Sequence, residues 1–336
     1  MRQFQLQKSG NQFVPTLTDM NKPSPGSGKV LVRVRAASLN YRDHIIATMG
    51  VLREKTLGVV PLSDGAGEVE AVGAGVTQWR AGDRVAANFF ATWITGRFDR
   101  TYHDAALGGT YPGMLSEYAV LPESSLVRIP EALSFEEAST LPCAALTAWQ
   151  GLFERTQVGP GDVVLTAGTG GVSIFALQFA KAVGATVIIT SSSDEKLQRA
   201  KSLGADHLIN YKNEPEWDKE VLSITNGRGA DHVMEIGGAE TYQRSINCVA
   251  AGGHIHQLGV LSGFDLRPNL WNLQSSNATI HGLYVGSVEM FTRMNAFIST
   301  HKIKPVVDRV YPFEQATQAF AALARAGHFG KIVIAV

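Results

Sequence analysis

A glycine-rich turn between an apolar run and an amphipathic segment constrains this chain more than any other feature. The apolar run Val163–Thr166 leads into the turn, and a second apolar run, residues 185–190, follows the amphipathic segment. A strand, turn, helix and strand within roughly thirty residues are typical of a dinucleotide-binding βαβ unit, although some other α/β proteins also contain glycine-rich turns. Ser173 replaces the third glycine of the usual pattern and is small enough to keep the helix close to the sheet. We expect a pyrophosphate to bind Gly168, Thr169, Gly170, Gly171 and Val172.

Composition excludes several classes of partner. Of the 336 residues, 45% are hydrophobic, which is enough for two domains that each have a core. The 30 basic residues balance 30 acidic ones, so no basic surface for nucleic acid or anionic lipid is expected. We find no uncharged apolar run of about 18 residues and no apolar core of a signal peptide. Two cysteines cannot form a framework of disulfides. We therefore predict a cytoplasmic protein with no membrane or nucleic-acid partner.

Two kinds of pattern divide the chain. Short alternating segments in the first third, such as residues 29–35, predict a partly closed antiparallel barrel or sandwich. From residue 162 to about 260, strands alternate with helices, which predicts a parallel sheet with helices on both faces. The predicted strands are residues 163–166, 186–190, 207–210, 232–236 and 254–258. We place the dinucleotide-binding domain at residues 129–269 and the discontinuous first domain at residues 1–128 and 270–336.

The end of the second predicted strand indicates which nucleotide binds. An NAD enzyme usually carries an acidic residue there, which would repel a 2′-phosphate by roughly 4 kcal/mol at about 4 Å and an effective dielectric near 20. This chain instead has Ser191, Ser192 and Ser193, and Lys196 and Tyr211 add a charge and a donor. We predict NADPH in preference to NADH. In an alternative interpretation, Ser192 and Glu195 form the capping box of the next helix.

Several motifs in order resemble those of the medium-chain dehydrogenase/reductase superfamily. They are ASLNYRD at 37–43, DGAGEV at 64–69, GDRV at 82–85, GMLSEY at 113–118 and LPCAALTAW at 141–149, together with the dinucleotide turn. The resemblance implies an α/β protein with a GroES-like β-barrel catalytic domain, a Rossmann domain and an active site in the cleft between them. It also implies a homodimer or homotetramer, often joined through the last Rossmann strand, here residues 278–285.

The superfamily contains zinc-dependent and zinc-independent members, and the residues favour the second group. By resemblance, zinc members have cysteine at the position of Asn40 and a His-Glu pair at Ser63 and Asp64, with a third ligand near Cys143. One remaining thiol does not make a tetrahedral site, so we predict no zinc. Cys143 is interpreted as a small buried residue. His254 and His256 alternate along one strand, so they share a face and are given a structural role.

Without a metal, we expect acceptors that need little help to take a hydride, such as quinones, enones, enals and enoyl thioesters. Asn40 and Tyr41 are the candidate catalytic donors, although Tyr41 packing on the cofactor without proton transfer is an equal alternative. Two further functions remain open, namely a zinc-free alcohol dehydrogenase or ketone and aldehyde reductase, and a cofactor-binding protein with little turnover.

Resemblance also supplies further cofactor contacts. The contacts are Gly237, Leu258, Gly259, Val260, Leu283, Tyr284, Val285 and Lys331.

Aromatic residues are dense between positions 93 and 111, where they favour an apolar pocket for the substrate over a small core internal to the loop.

Overall fold

Two compact units make up the chain. The structure, a computed structural model, describes residues 1–49, 57–263, 265 and 267–336. One unit contains Met1–Leu146 and Val285–Val336, and the other contains Thr147–Tyr284. These divisions lie later in the chain than the predicted ones after residues 128 and 269. The first division lies after Leu146 and not after residue 128, because the segment that follows Pro130 packs on the first unit. In this segment the Cys143 amide donates to Asp64 Oδ2 (3.2 Å). Proline marks a local turn at this point and not a change of unit.

Fifteen strands and ten helices are described. The strands are β1 (Arg2–Ser9), β2 (Gln12–Asp19), β3 (Lys29–Ser38), β4 (Asp64–Val72), β5 (Arg84–Ala87), β6 (Tyr118–Pro122), β7 (Leu126–Arg128), β8 (Val163–Thr166), β9 (Thr186–Ser191), β10 (His207–Asn210), β11 (Ala230–Glu235), β12 (Val249–Gln257), β13 (Thr279–Gly282), β14 (Val307–Pro312) and β15 (Lys331–Ala335). The helices are α1 (Tyr41–Met49), α2 (Phe135–Ser139), α3 (Leu146–Trp149), α4 (Gly171–Ala182), α5 (Asp194–Ser202), α6 (Trp217–Ile224), α7 (Tyr242–Cys248), α8 (Trp271–Ser275), α9 (Val288–His301) and α10 (Ala316–Ala324). Among these helices, none combines the length and the apolar character that crossing a bilayer requires.

The first unit is built on a mostly antiparallel sheet. Its order is β14-β15-β3-β4-β5-β7, with β6 also paired to β3, and β1 and β2 form a separate hairpin. Val30, Val32 and Val34 alternate along β3 and are buried in the core of this unit, as the period-two pattern predicts. Because β15 is antiparallel to β3, the start of β15 lies beside the end of β3, and the Leu39 amide donates to Ile332 O (3.0 Å).

The second unit contains one parallel sheet of order β10-β9-β8-β11-β12-β13. The predicted α/β fold class, an antiparallel β unit with a parallel Rossmann-type sheet, is confirmed. Strand order reverses between β8 and β11, so the carboxyl ends of these strands form the switch point where such sheets bind ligands. The prediction placed the start of β12 at residue 254, but it begins at Val249, because Gly252 takes a φ of +74° within the strand without ending it.

Four histidines stack on the parallel sheet. His254 and His256 share a face of β12, as predicted, and the rings of His232 on β11 and His281 on β13 lie beside them. His256 Nε2 is 3.4 Å from His232 Nδ1, and His281 Nε2 is 3.1 Å from His254 Nδ1. The backbone of Gly151 covers His256, because a Cβ there would lie 3.3 Å from the ring. The histidines therefore form part of the packed interior of this unit.

Aromatic rings between positions 93 and 111 pack on one another. Trp93 is 1% exposed, and its ring stacks on Tyr102 with centroids 5.7 Å apart and planes inclined by 12°. Phe98 contacts both rings edge-on. The rings make a small core within the loop, so the expectation of a pocket wall was wrong for these residues. Aromatic density in a sequence does not distinguish the two arrangements, because both bury the same side chains.

Candidate nucleotide-binding and acceptor sites

The dinucleotide turn adopts a conformation that glycine permits. Gly168 follows β8 with a φ of +81°, and its amide donates to Thr190 Oγ1 (3.2 Å). Gly170 is the N-cap of α4, and space is open where a Cβ would lie on Gly168 or Gly170. Ser173 is buried and donates its hydroxyl to Ala167 O (2.8 Å), which holds the first turn of α4 against the strand. The turn therefore fits a pyrophosphate, because side chains do not block its approach to the helix amides.

The serines after β9 lie beside Tyr211. Ser191 ends β9 and is buried, and its Oγ accepts from the Ser193 amide (3.3 Å). Tyr211 is 42% exposed, and its amide donates to Ser191 O (3.1 Å) because β10 pairs with β9. The N-cap of α5 is Ser193, whose Oγ accepts from the Lys196 amide (3.4 Å). The capping-box interpretation centred on Ser192 was therefore wrong by one residue, because β9 extends through Ser191.

An acidic residue close to these serines has a partner of its own. Asp194 Oδ1 accepts from Asn210 Nδ2 (2.8 Å) at the first turn of α5. This bond ties the carboxylate to the end of β10. Ser191, Ser192, Ser193 and Tyr211 thus lie at the ends of the paired strands β9 and β10, and Lys196 lies in the first turn of α5.

The remaining nucleotide candidates follow the neighbouring strands. Gly237 comes after β11, Leu258, Gly259 and Val260 after β12, and Leu283 and Tyr284 after β13. Because carboxyl ends of parallel strands share one edge of a sheet, these residues lie along the same edge as the dinucleotide turn. Val285 begins the return to the first unit, with a φ of +56°.

Glu235 was missed by the sequence reasoning, although it organises the turn after β11. Its buried carboxylate accepts from the Gly238 amide (2.9 Å), Thr241 Oγ1 (2.6 Å) and Ser245 Oγ. Gly237 has no room for a side chain in this turn, because a Cβ would lie 2.2 Å from Thr241 Oγ1. An acid within the apolar run of residues 233–236 was the available signal, since a buried carboxylate needs donors.

A polar cluster in the first unit brings Asn40 and Lys331 together. Lys331 Nζ donates to Leu39 O (2.6 Å) and to Asn40 Oδ1 (2.5 Å), and it lies 3.8 Å from Asp64 Oδ2. Asp64 accepts from Ser63 Oγ (2.6 Å). The strand register produces this contact, because β4 begins opposite the end of β3 and β15 begins on its other side. We name Asn40, Ser63, Asp64, Cys143 and Lys331 the polar cluster.

Burial dominates the electrostatics around the polar cluster. It raises the pKa of the Asp64 carboxyl, and the Lys331 ammonium opposes that shift. Burial also raises the pKa of Asp43 to about 6, against the lowering influence of Arg42. Asp43 Oδ2 accepts from the Asn40 amide (2.8 Å), so it fixes the start of α1.

Tyr41 begins α1 directly after Asn40. Its side chain is 38% exposed, and its ring centroid lies 5.7 Å from that of His44. The phenol is therefore at the surface of the first unit. Tyr41 directly follows Asn40, the other candidate donor, in the chain.

By the resemblance stated above, Asn40, Ser63, Asp64 and Cys143 stand where zinc members of the superfamily carry their ligands, and the groups around these positions do not fit zinc. An ammonium lies against Asn40 and Asp64, and a second cation there would be repelled. Cys143 is partly exposed and not fully buried as predicted, and desolvation and the nearby Asp64 raise the pKa of its thiol. In the part of the chain that the structure describes, no three His, Cys, Asp or Glu side chains are grouped to hold a metal ion.

Comparisons with known proteins identify the same two-part organisation. Residues 26–131 match the alcohol dehydrogenase GroES-like domain family, and residues 171–300 match the zinc-binding dehydrogenase family. The second match lies outside the segments that form the polar cluster.

Two relatives and two solved structures illustrate the similarity. A zinc-type alcohol dehydrogenase-like protein of Schizosaccharomyces pombe is 49% identical over 92% of this chain and 91% of its own length. A quinone oxidoreductase of Pseudomonas aeruginosa is 34% identical over 78% of this chain and 74% of its own. An NAD-dependent alcohol dehydrogenase structure superimposes with a TM-score of 0.90 at 36% identity, covering all of both chains. A mycobacterial protein solved with NADPH gives a TM-score of 0.84 at 26% identity, also over both full chains.

Proposed function

Since the chain belongs to the medium-chain dehydrogenase/reductase superfamily and is an oxidoreductase, we propose that it uses NADPH, without zinc, to reduce quinones or activated alkenes. The observation that carries this proposal is the polar cluster, where the Asn40 amide stands at the position of a metal ligand and the Lys331 ammonium donates to it. An alcohol is hard to oxidise there, because no metal lowers the pKa of the bound hydroxyl. A conjugated acceptor needs only donors for the oxygen that gains charge.

The donors proposed for that oxygen come from Asn40 and Tyr41. Bound NADPH supplies a hydride, which together with one proton from solvent completes the reduction, so that the acceptor gains two hydrogens and NADP⁺ leaves. Asn40 Nδ2 donates to the acceptor oxygen and stabilises the charge that develops on it. Tyr41, at the surface of the first unit, donates to the same oxygen or passes the proton to carbon.

Reduction of a set of acceptors by the purified protein tests this function. Quinones, enals and enones, and simple ketones are compared under both reduced nucleotides, before and after dialysis against a chelator. We expect quinones or enals to be reduced with NADPH, at rates that dialysis does not change. Activity restricted to simple ketones would favour the zinc-free ketone reductase, and a stoichiometric zinc whose removal abolishes turnover would refute the proposal.

The preference for NADPH is supported by the hydroxyl groups around the end of β9. Ser191 and Ser193 can donate to phosphate oxygens, and the nearby Asp194 carboxylate is bound to Asn210. One similar structure holds NADPH and another is of an NAD-dependent enzyme, so similarity alone does not choose between them. The residues at this strand end therefore carry this part of the proposal.

Substitution of Ser191 by aspartate tests the nucleotide preference. Repulsion of roughly 4 kcal/mol is an upper limit, and with solvent screening we expect the ratio of kcat/KM for NADPH over NADH to fall by at least about tenfold. Ser202→Asp is the matched control, because Ser202 is exposed at the end of α5 and receives the same charge away from β9. An unchanged ratio in S191D would contradict the phosphate site.

Location and assembly are also part of the proposal. We propose a cytoplasmic homodimer or homotetramer, joined through β13, which lies at the edge of the parallel sheet. Both cysteines are free thiols, which suits a reducing compartment. Light scattering at micromolar concentration tests the assembly, and a monomer would refute it. Detection of the native protein in a membrane-free cytoplasmic fraction tests the location.

A further inference from the structure

The contact between Lys331 and Asn40 defines which way the Asn40 amide faces. An asparagine side chain has one acceptor, Oδ1, and one donor group, Nδ2, whereas an ammonium has donors alone. With Lys331 Nζ 2.5 Å away, the atom facing it must be Oδ1. A flipped amide would place two donor groups against each other in a buried place, which is costly.

This orientation leaves the amide donor directed away from the lysine. Asn40 Nδ2 lies 3.5 Å from Ser63 Oγ, at the limit of a hydrogen bond. Nδ2 carries two hydrogens, and the Asn40 side chain also hydrogen-bonds the Asp64 carboxyl, so an acceptor oxygen takes the place of the long bond to Ser63. An ammonium on the carbonyl oxygen also polarises the amide, which makes Nδ2–H a stronger donor.

Lys331 itself is held in place by its surroundings. The residue is 3% exposed, and Leu39 O, Asn40 Oδ1 and the Asp64 carboxylate surround its ammonium. Lys331 is the first residue of β15, which pairs with the end of β3. The sheet therefore fixes the backbone of Lys331, and the three oxygen-bearing groups fix its ammonium. The Lys331 ammonium is therefore held against the Asn40 side chain.

We propose that Lys331 is a positioning residue, whose ammonium takes the place of a metal cation in the polar cluster and orients and polarises the Asn40 amide toward the acceptor oxygen. This rests on the proposed function, because it gives Asn40 an oxygen to bind. It differs from the expectation drawn from resemblance, in which Lys331 contacts the nucleotide. The two roles predict different kinetic effects.

Substitution of Lys331 by methionine separates the two roles. Methionine keeps most of the length of the stem and removes the charge. We expect kcat with a quinone or enal to fall by about ten- to a hundredfold, while the dissociation constant of NADPH, measured by fluorescence titration, stays within about twofold. Lys304→Met is the matched control, because Lys304 also donates to a carbonyl, Ala132 O, and to a carboxylate, but lies outside the polar cluster.

A double-mutant cycle tests whether Lys331 acts through Asn40. If it does, K331M should cost much less in an Asn40→Ala background than in the wild type. A purely structural role would give the same loss in both backgrounds. Additive losses in the cycle, or weaker NADPH binding with kcat unchanged, would overturn the inference while leaving the proposed function intact.

Unfolding of K331M would not leave the inference untested. Removing the lysine alone leaves Asp64 without its cation, and this is destabilising in a buried place. The double variant K331M/D64N removes both charges, and we expect it to fold and to show the same loss of kcat as K331M. A folded K331M/D64N with wild-type kcat would overturn the inference. Failure of the wild-type protein to reduce any conjugated acceptor would instead refute the proposed function.

Discussion

Replacement of His256 by leucine is expected to make the protein more resistant to acid. His256 is fully buried, and desolvation, followed by the nearby His232, His281 and His254, lowers its pKa from 6.5 to about 2. Among the residues that the structure describes, none is within hydrogen-bonding distance of its Nδ1. A proton on this ring would therefore be both desolvated and repelled by its neighbours.

The sign and size of the effect follow from proton linkage. The unfolded chain binds a proton at His256 below pH 6.5, and the folded chain does not do so until about pH 2. The contribution of the uncharged His256 to stability is therefore fully present above pH 6.5 and is lost as the pH falls from 6.5 toward 2. Between pH 7.5 and pH 5, one such group costs about 2 kcal/mol, with a limiting slope of about 1.4 kcal/mol per pH unit. His232 and His281 add to this loss, because burial lowers their pKa values as well.

Carboxylates near the stack act in the opposite direction. Asp162 lies 3.5 Å from His232 and raises its pKa, although less than burial lowers it. Arg155, in contrast, lowers the pKa of His281. The shift at His256 comes from burial and from the other histidines alone, so this histidine is the one to replace.

The assay is denaturant unfolding followed by circular dichroism at several pH values. Wild-type protein should lose about 2 kcal/mol more than H256L between pH 7.5 and pH 5. The matched control is His207→Leu, since His207 is exposed on β10 of the same sheet, and its pH dependence should follow the wild type. Equal losses for wild type and H256L would refute the reasoning, whatever their absolute stabilities.

Three further substitutions, one of them with a matched control, probe other parts of the structure. Trp93→Ala should lower the free energy of unfolding by about 3–5 kcal/mol because it empties the core of the aromatic loop, whereas Trp271→Ala, at a site 68% exposed, should change it by under about 0.5 kcal/mol; denaturant unfolding compares them. Gly168→Ala places a Cβ at a φ of +81°, which costs about 1–2 kcal/mol, and it should weaken NADPH binding in a fluorescence titration. Glu235→Ala strands the three donors that its carboxylate satisfies, and the midpoint of thermal unfolding should fall, whereas an unchanged midpoint would show that these bonds contribute little.

Local pattern was enough to predict the parallel sheet. The runs at Val163–Thr166 and His207–Asn210 are strands with the predicted bounds, because each is a short apolar or alternating segment closed by turn residues. Ser193 shows where local pattern fails. Three consecutive serines offer three possible caps, and the choice depends on how far β9 remains paired with β10. Pairing between strands is a property of the sheet, which a window of sequence does not contain.

Long-range register explains why the polar cluster was only half anticipated. Asn40 was predicted from its place in a motif, but its contact with Lys331 joins positions 291 apart in the chain. That contact exists because β15 pairs with β3, and shifting the register by one residue would turn Lys331 to the other face. Resemblance carries over positions without their side-chain partners, so it did not supply this contact, and its prediction that Lys331 contacts the nucleotide stays a prediction.

Charge balance in the interior links the stability of the first unit to its chemistry. Arg42 lies 3.9 Å from Asp43, and Lys331 lies 3.8 Å from Asp64, so two cations stand against two buried carboxyls. Removing one member leaves an uncompensated charge, whereas removing an opposite pair does not. The same ammonium that compensates Asp64 also determines the direction of the Asn40 amide. A stable fold and a correctly directed donor therefore depend on one side chain, and only paired substitutions can separate these two roles.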